Sequence, residues 1–198
     1  MATFERIPTV MPADHVPGPK QGHWTYNHYA ALSDDGQRYE IIDGVLYMAP
    51  SPSDFHQSTV SLLVTYLTIH VQFKGLGRVY PAPFDVQLAP NVVVQPDVLV
   101  VLNENSEKIT HSRIIGPPDL VVEIVSPSTA AYDRMKKRNT YARASVREYW
   151  IVDPLVQNIE VLVLEDSIYR SVGIFTGNHT LPSQVVPEFP VQVMQFFS

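Results

Sequence analysis

The run Leu120-Val121-Val122-Glu123-Ile124-Val125 constrains this chain more than any other stretch. Continuous apolar residues over such a length signal a strand buried on both faces of a sheet, and Glu123 interrupts the signal. A bare carboxylate in that setting is strongly destabilising unless a cation or several donors meet it. Upstream, Val92-Val93-Val94-Gln95-Pro96-Asp97-Val98-Leu99-Val100-Val101 repeats the anomaly with Asp97 as its only acid. Two buried strands therefore carry one carboxylate each, and the question is which cation they share.

The stretch from Gly116 to Pro154 reads as strand, turn, helix, strand. Ser126-Pro127-Ser128-Thr129 supplies turn residues and a helix start, the helix runs from about residue 131 to 144, and residues 147–152 form the next strand. Asp133, Lys137 and Tyr141 recur at four-residue steps and share one helix face. Asp133 with Lys137 also fits an ordinary surface ion pair.

Ahead of that stretch, residues 1–22 hold four prolines with little periodicity and read as an N-terminal arm to one domain of residues 23–198. Thr25 is placed to cap a short helix through Leu32. Asp43-Gly44 lies between two β-rich runs, a strong hairpin signal, so Asp43 is a turn residue. Glu40, on the first of those runs, is either an exposed strand residue or a carboxylate aimed at a site. Ser53 or Asp54 caps a helix of residues 54–74, with Val60, Leu63, Val64, Leu67 and Val71 on one face and His56 in the first turn. Residues 79–88 form a strand edged by Pro81 and Pro83, where Asp85 is structural or points to the same cluster. A C-terminal hairpin follows residue 156, and residues 191–197 form a short closing element.

Composition narrows the chemistry. The chain has no cysteine, which removes thiolate nucleophiles, disulfides and cysteine zinc sites, so any metal is held by oxygen or imidazole. The formal charge of −6 disfavours a polyanionic partner. Its distribution softens that objection, because residues 111–150 carry seven basic and four acidic side chains. No signal-peptide pattern and no membrane-length apolar run is present, so a cytoplasmic protein without membrane contact is expected.

Paired acids on neighbouring strands serve as a general acid and base, as ligands for a hard divalent cation, or as structural acceptors. Lys137, one turn into the helix that leaves the Glu123 strand, favours the cation. Two acids holding a metal beside a lysine suit phosphodiester hydrolysis: the cation polarises a phosphate oxygen and acidifies a water, and the amine stabilises developing charge. Mg²⁺, or Mn²⁺, matches oxygen ligands. Nucleophile-elbow, phosphate-loop and dinucleotide glycine motifs are absent from the sequence.

Seven blocks in order carry a family resemblance: Tyr39-Glu40-Ile41-Ile42-Asp43-Gly44, His56, Phe84-Asp85-Val86, Gln95-Pro96-Asp97-Val98, Pro118 to Ser128, then Asp133, Lys137 and Tyr141, and Glu148 to Pro154. Together they resemble the Uma-two family of the PD-(D/E)XK nuclease superfamily over about residues 25–197. The resemblance implies an α/β (α+β) restriction-endonuclease-like fold, with an αβββαβ core, a mixed central sheet, an N-terminal hairpin and a C-terminal hairpin extension. It implies a metal-dependent DNA endonuclease with Asp97 and Glu123 as catalytic residues and metal ligands. The superfamily pattern places lysine two residues after the glutamate, where this chain has Val125, so Lys137 is the expected substitute. His56 stands where relatives place a further acidic residue; Glu40 and Asp85 are additional candidates. The missing lysine also leaves open a catalytically silent member that binds nucleic acid or a protein partner. A homodimer through sheet or hairpin edges is compatible with either reading.

Overall fold

The computed structural model describes residues 10–198; the first nine residues of the expected arm lie outside the described residues. A short helix, α1 (Tyr26–Tyr29), precedes the hairpin of β1 (Tyr39–Ile42) and β2 (Val45–Met48). Asp43 and Gly44 make the turn with φ of 53° and 74°, the left-handed pair that a two-residue hairpin loop requires. A Cβ on Gly44 would stand 2.4 Å from the Gly22 carbonyl oxygen, so glycine is needed there for contact as well as conformation. Residues of the arm dock on this hairpin, with Ala13 N donating to Leu46 O and Gly22 N to Gly44 O.

Ser53 caps α2 (Asp54–Leu67), its Oγ accepting from His56 N, and the helix continues through wider turns over Thr68–Gln72. Each of the two long strands expected next divides. The first becomes β3 (Gly77–Pro81) and β4 (Asp85–Ala89); the second becomes β5 (Val92–Val94) and β6 (Val98–Leu102). Proline cannot donate to a ladder, and Pro83 and Pro96 stand in the two breaks. At each break the chain passes from one sheet to the other.

After β7 (Arg113–Ile115) and β8 (Leu120–Ile124), a π-type helical stretch over Tyr132–Lys137 runs into α3 (Arg138–Arg143). Then come β9 (Glu148–Asp153), β10 (Asn158–Glu165) and β11 (Ile168–Thr176). One sheet has the order β2-β1-β5-β4-β7 and the other β11-β10-β9-β8-β6-β3. The larger sheet is the expected mixed central one, with β8 and β9 parallel and its other neighbours antiparallel. Elements α2, β3, β6, β8, α3 and β9 give the expected αβββαβ succession, with β4, β5 and β7 inserted into it.

Strand alternation explains where Glu123 points. Val98, Val100, Leu120, Val122, Ile124, Trp150 and Val152 pack on one face against Leu63 and Leu67 of α2 and the C-terminal residues Phe189 and Phe196. Leu99, Val101, Val121, Tyr149 and Ile151 pack on the other face with Tyr141 of α3 and Val86 and Val94 of the smaller sheet. Glu123 follows Val121 by two residues and so enters the second face. The register Val98↔Val122, extended by one residue, sets Asp97 against Glu123 where β6 begins. Glu148 serves the first face: fully buried, it accepts from Trp150 Nε1 at 2.6 Å and from the Gln184 and Val185 amides at 2.6 and 3.2 Å, holding the C-terminal segment down. Among the described residues, no helix is long and apolar enough to cross a membrane.

Candidate active site

A cavity of about 190 Å³ opens between the loop after β2, the start of α2 and the loop after β8. Glu40, His56, Asp97, Glu123, Asp133 and Lys137 all line it. The two sheets, two helices and a loop thus bring to one place residues up to about a hundred positions apart.

Lys137 occupies the middle. Its Nζ lies 2.9 Å from Glu123 Oε1, 3.0 Å from Glu40 Oε1 and 3.9 Å from Asp133 Oδ1. Tyr141 donates its hydroxyl to the same Glu123 oxygen at 2.5 Å, and the Gln95 amide donates to Glu40 Oε1 at 2.8 Å. Asp97 is held from the other side, its Oδ2 accepting from Ile124 N at 2.9 Å and from His56 Nε2 at 3.1 Å. Among the described residues no hydrogen bond engages Asp97 Oδ1 or Glu123 Oε2. Asp97 and Glu123, each with one such hard oxygen, both line the cavity. Among the described residues, no group of three or more His, Asp or Glu side chains is arranged to hold one ion.

Burial decides most of the proton affinities here. It drives the Glu123 carboxyl well above the ordinary range; Lys137 pulls down, while Asp97, Asp133 and Glu40 push further up. Asp133 behaves alike, rising to about 6, mainly through burial and against the pull of Lys137. Burial opposes the Lys137 ammonium, yet Glu123, Glu40 and Asp133 outweigh it and hold the amine charged well above the usual lysine range. Asp97 moves the other way. Burial acts to raise it, but His56, Lys137 and the Ile124 amide together lower it. Asp97 is therefore ionised at neutral pH, and Lys137 is a cation rather than a free base.

The expected residues separate by position. Asp97, Glu123 and Lys137 meet in the cavity with His56 and Glu40. Asp85 stands behind it, accepting from Tyr29 Oη and from Gln95 Nε2 at 2.9 Å each, and reaches the cavity only through Gln95. Lys136, the neighbour of Lys137, turns out of the cavity to the Tyr47 hydroxyl and ring. Asp133 is buried inside the site rather than paired on the surface, and its four-residue step to Lys137 was the signal for it. Arg38 and Gln95 also line the cavity; two-residue spacing puts Arg38 beside Glu40, and Gln95 adjoins Pro96-Asp97.

A family profile described as "Putative restriction endonuclease", Uma2, matches residues 25–194. The chain belongs to the Uma2 family. The larger part of its length, including every residue in the cavity, falls within the family match. The fold is also similar to that of a crystal structure from Anabaena variabilis described as "a putative nuclease belonging to DUF820": the TM-score is 0.71 at 19% identity, over 88% of this chain and 97% of that one. A Synechocystis protein described as "Uncharacterized protein slr1290" is 29% identical over 127 residues, 63% of this chain. The match spans 65% of that relative's length. Because the family match takes in the whole lining, the cavity is the candidate active site.

Proposed function

We propose that this Uma2 protein is a metal-dependent endonuclease that hydrolyses DNA phosphodiester bonds. The observation that carries the reading is that Asp97 and Glu123, each with one oxygen outside any hydrogen bond among the described residues, share a cavity with the Lys137 ammonium. Asp97 and Glu123 are the ligands, and Mg²⁺ or Mn²⁺ suits them, since such ions are often held by one or two carboxylates with waters and substrate oxygens completing the shell. The ion, when bound, would supply polarisation of the phosphate and a more acidic water.

The chain's own groups divide the remaining work. His56 and the Ile124 amide keep Asp97 ionised and oriented. Tyr141 and Lys137 fix Glu123 through its Oε1, which leaves Oε2 as the ligand atom. Lys137, held protonated, donates to the phosphate oxygen that gains charge as the bond to the leaving oxygen lengthens; it does not remove a proton from water. Glu40 also holds the ammonium in place, at 3.0 Å, and Asp85 braces Gln95 behind it.

Supercoiled and linear DNA incubated with Mg²⁺ or Mn²⁺ tests the reading. Cleavage by the wild type that disappears with EDTA and in Asp97→Asn is expected; intact DNA under every metal would remove the endonuclease assignment. The second reading, a silent nuclease-fold protein that binds nucleic acid or a protein partner, draws support from the three carboxylates that already surround Lys137. It predicts DNA binding untouched by Asp97→Asn and no cleavage. A homodimer through the edge strand β11 fits either reading, since Ile168, Val172 and Ile174 are exposed there.

A further inference from the structure

Arg38 immediately precedes β1 and lines the cavity beside Glu40 and the hydroxyl-bearing loops of Ser51, Ser53 and Ser128. Its guanidinium is fixed by two neutral acceptors: Nε donates to Gln95 Oε1 at 3.2 Å and Nη2 to the Gln95 carbonyl at 3.1 Å. Among the described residues, no carboxylate forms an ion pair with it. Lys137, the other permanent cation of the lining, already faces three carboxylates. Arg38 therefore brings a fixed positive charge that the protein itself does not neutralise, at the rim of a cavity lined by four acids.

Such a charge has a use. The ionised Asp97 within that acidic lining repels a phosphodiester, and a substrate strand needs a cation at the entrance as well as one inside. Guanidinium is the side chain best matched to phosphate oxygens, and holding it in advance reduces the entropy lost when the anion arrives. The anchoring also has a direction: Gln95, which grips Arg38, is two residues from Asp97 and gives its amide to Glu40. The guanidinium and the acidic centre are thus carried by one short segment.

We propose that Arg38 is a substrate-binding residue that takes a phosphate of the DNA strand and sets it in register with Asp97 and Glu123. The proposal rests on the nuclease reading above. Because the contact is made in both the ground and transition states, its loss raises KM far more than it lowers kcat.

Binding of a fluorescent DNA duplex in Ca²⁺, compared between wild type, Arg38→Lys and Arg38→Gln over a salt series, tests it. Loss of one phosphate contact in Arg38→Gln lowers the slope of log affinity against log salt by about 0.9, with Arg38→Lys keeping the slope. Affinity for Mn²⁺, followed by calorimetry in the same variants, does not fall below the wild-type value, because removing a neighbouring positive charge cannot weaken cation binding; a merely structural role would lower it and leave the salt slope alone. An unchanged slope in Arg38→Gln overturns the proposal and spares the nuclease reading, whereas a wild type that binds no DNA overturns both. A wild-type crystal grown with Ca²⁺ and a short oligonucleotide needs no variant to fold. Phosphate oxygen on the Arg38 guanidinium supports the proposal, and a bound strand that leaves Arg38 untouched contradicts it.

Discussion

Lys137 Nζ stands 2.9 Å from Glu123 Oε1, although fourteen residues separate them and the position two after Glu123 is valine. Val125 packs into the core beside Tyr141, so an amine at that position would be buried among apolar groups. The helix following β8 brings an amine back to the same carboxylate by another route. That geometry predicts different consequences for adjacent lysines. Lys137→Met should lower cleavage by about two to three orders of magnitude, the usual loss when one charge-stabilising donor is removed. Lys136→Met, removing a group bound to Tyr47 outside the cavity, should stay within a few-fold of wild type. Equal rates for the two variants in a single-turnover assay would take Lys137 out of the mechanism.

The raised carboxyls make an unusual stability profile. Unfolded Asp133 titrates near 3.8 and folded Asp133 at about 6. Within that interval the folded chain binds more protons than the unfolded one, so this group's contribution to stability falls as pH rises through it. Glu123 acts in the same sense, and Asp97, lowered by its partners, acts oppositely but only below its ordinary value. Urea unfolding of metal-free protein should show Asp133→Asn gaining on the wild type by roughly 2–3 kcal/mol as pH goes from the bottom to the top of the interval. Parallel wild-type and variant profiles would show that Asp133 has no such shift.

Glu148 was legible only as part of a family block, and its work is structural. Replacing it by alanine leaves the Trp150 indole N–H and two backbone amides without acceptors in the core. A loss of about 3 kcal/mol is expected from unsatisfied buried donors, with Mn²⁺ affinity unchanged under conditions where the variant is folded. A stability within error of wild type, measured by urea titration, would remove Glu148 as the anchor of the C-terminal segment.

The residues themselves decide how much of the fold and site is legible in the sequence. Glu123 and Asp97 showed plainly because a charge inside a β-branched run breaks a local rule, and such breaks concentrate at sites. The Asp43-Gly44 turn was equally plain, since few residue pairs accept two left-handed conformations. The division of residues 92–101 between two sheets was not, because apolar periodicity is the same on either side of Gln95-Pro96-Asp97 and only the tertiary fold decides which neighbours each half pairs with. Asp133 was ambiguous for a related reason. A four-residue step to Lys137 fits a surface pair and a buried one alike, and burial depends on the smaller sheet that covers that helix face. Arg38 gave no signal by itself, since its place at the cavity is set by Gln95, fifty-seven residues away.

In the proposed mechanism Asp97 and Glu123 present one oxygen each to a shared divalent cation. A wild-type crystal soaked in Mn²⁺ and measured for anomalous scattering tests it most directly. One strong peak in contact with Asp97 Oδ1 and Glu123 Oε2 is expected, with Lys137 still bonded to Glu123 Oε1. No peak at saturating Mn²⁺, or a peak held by other residues, would contradict it.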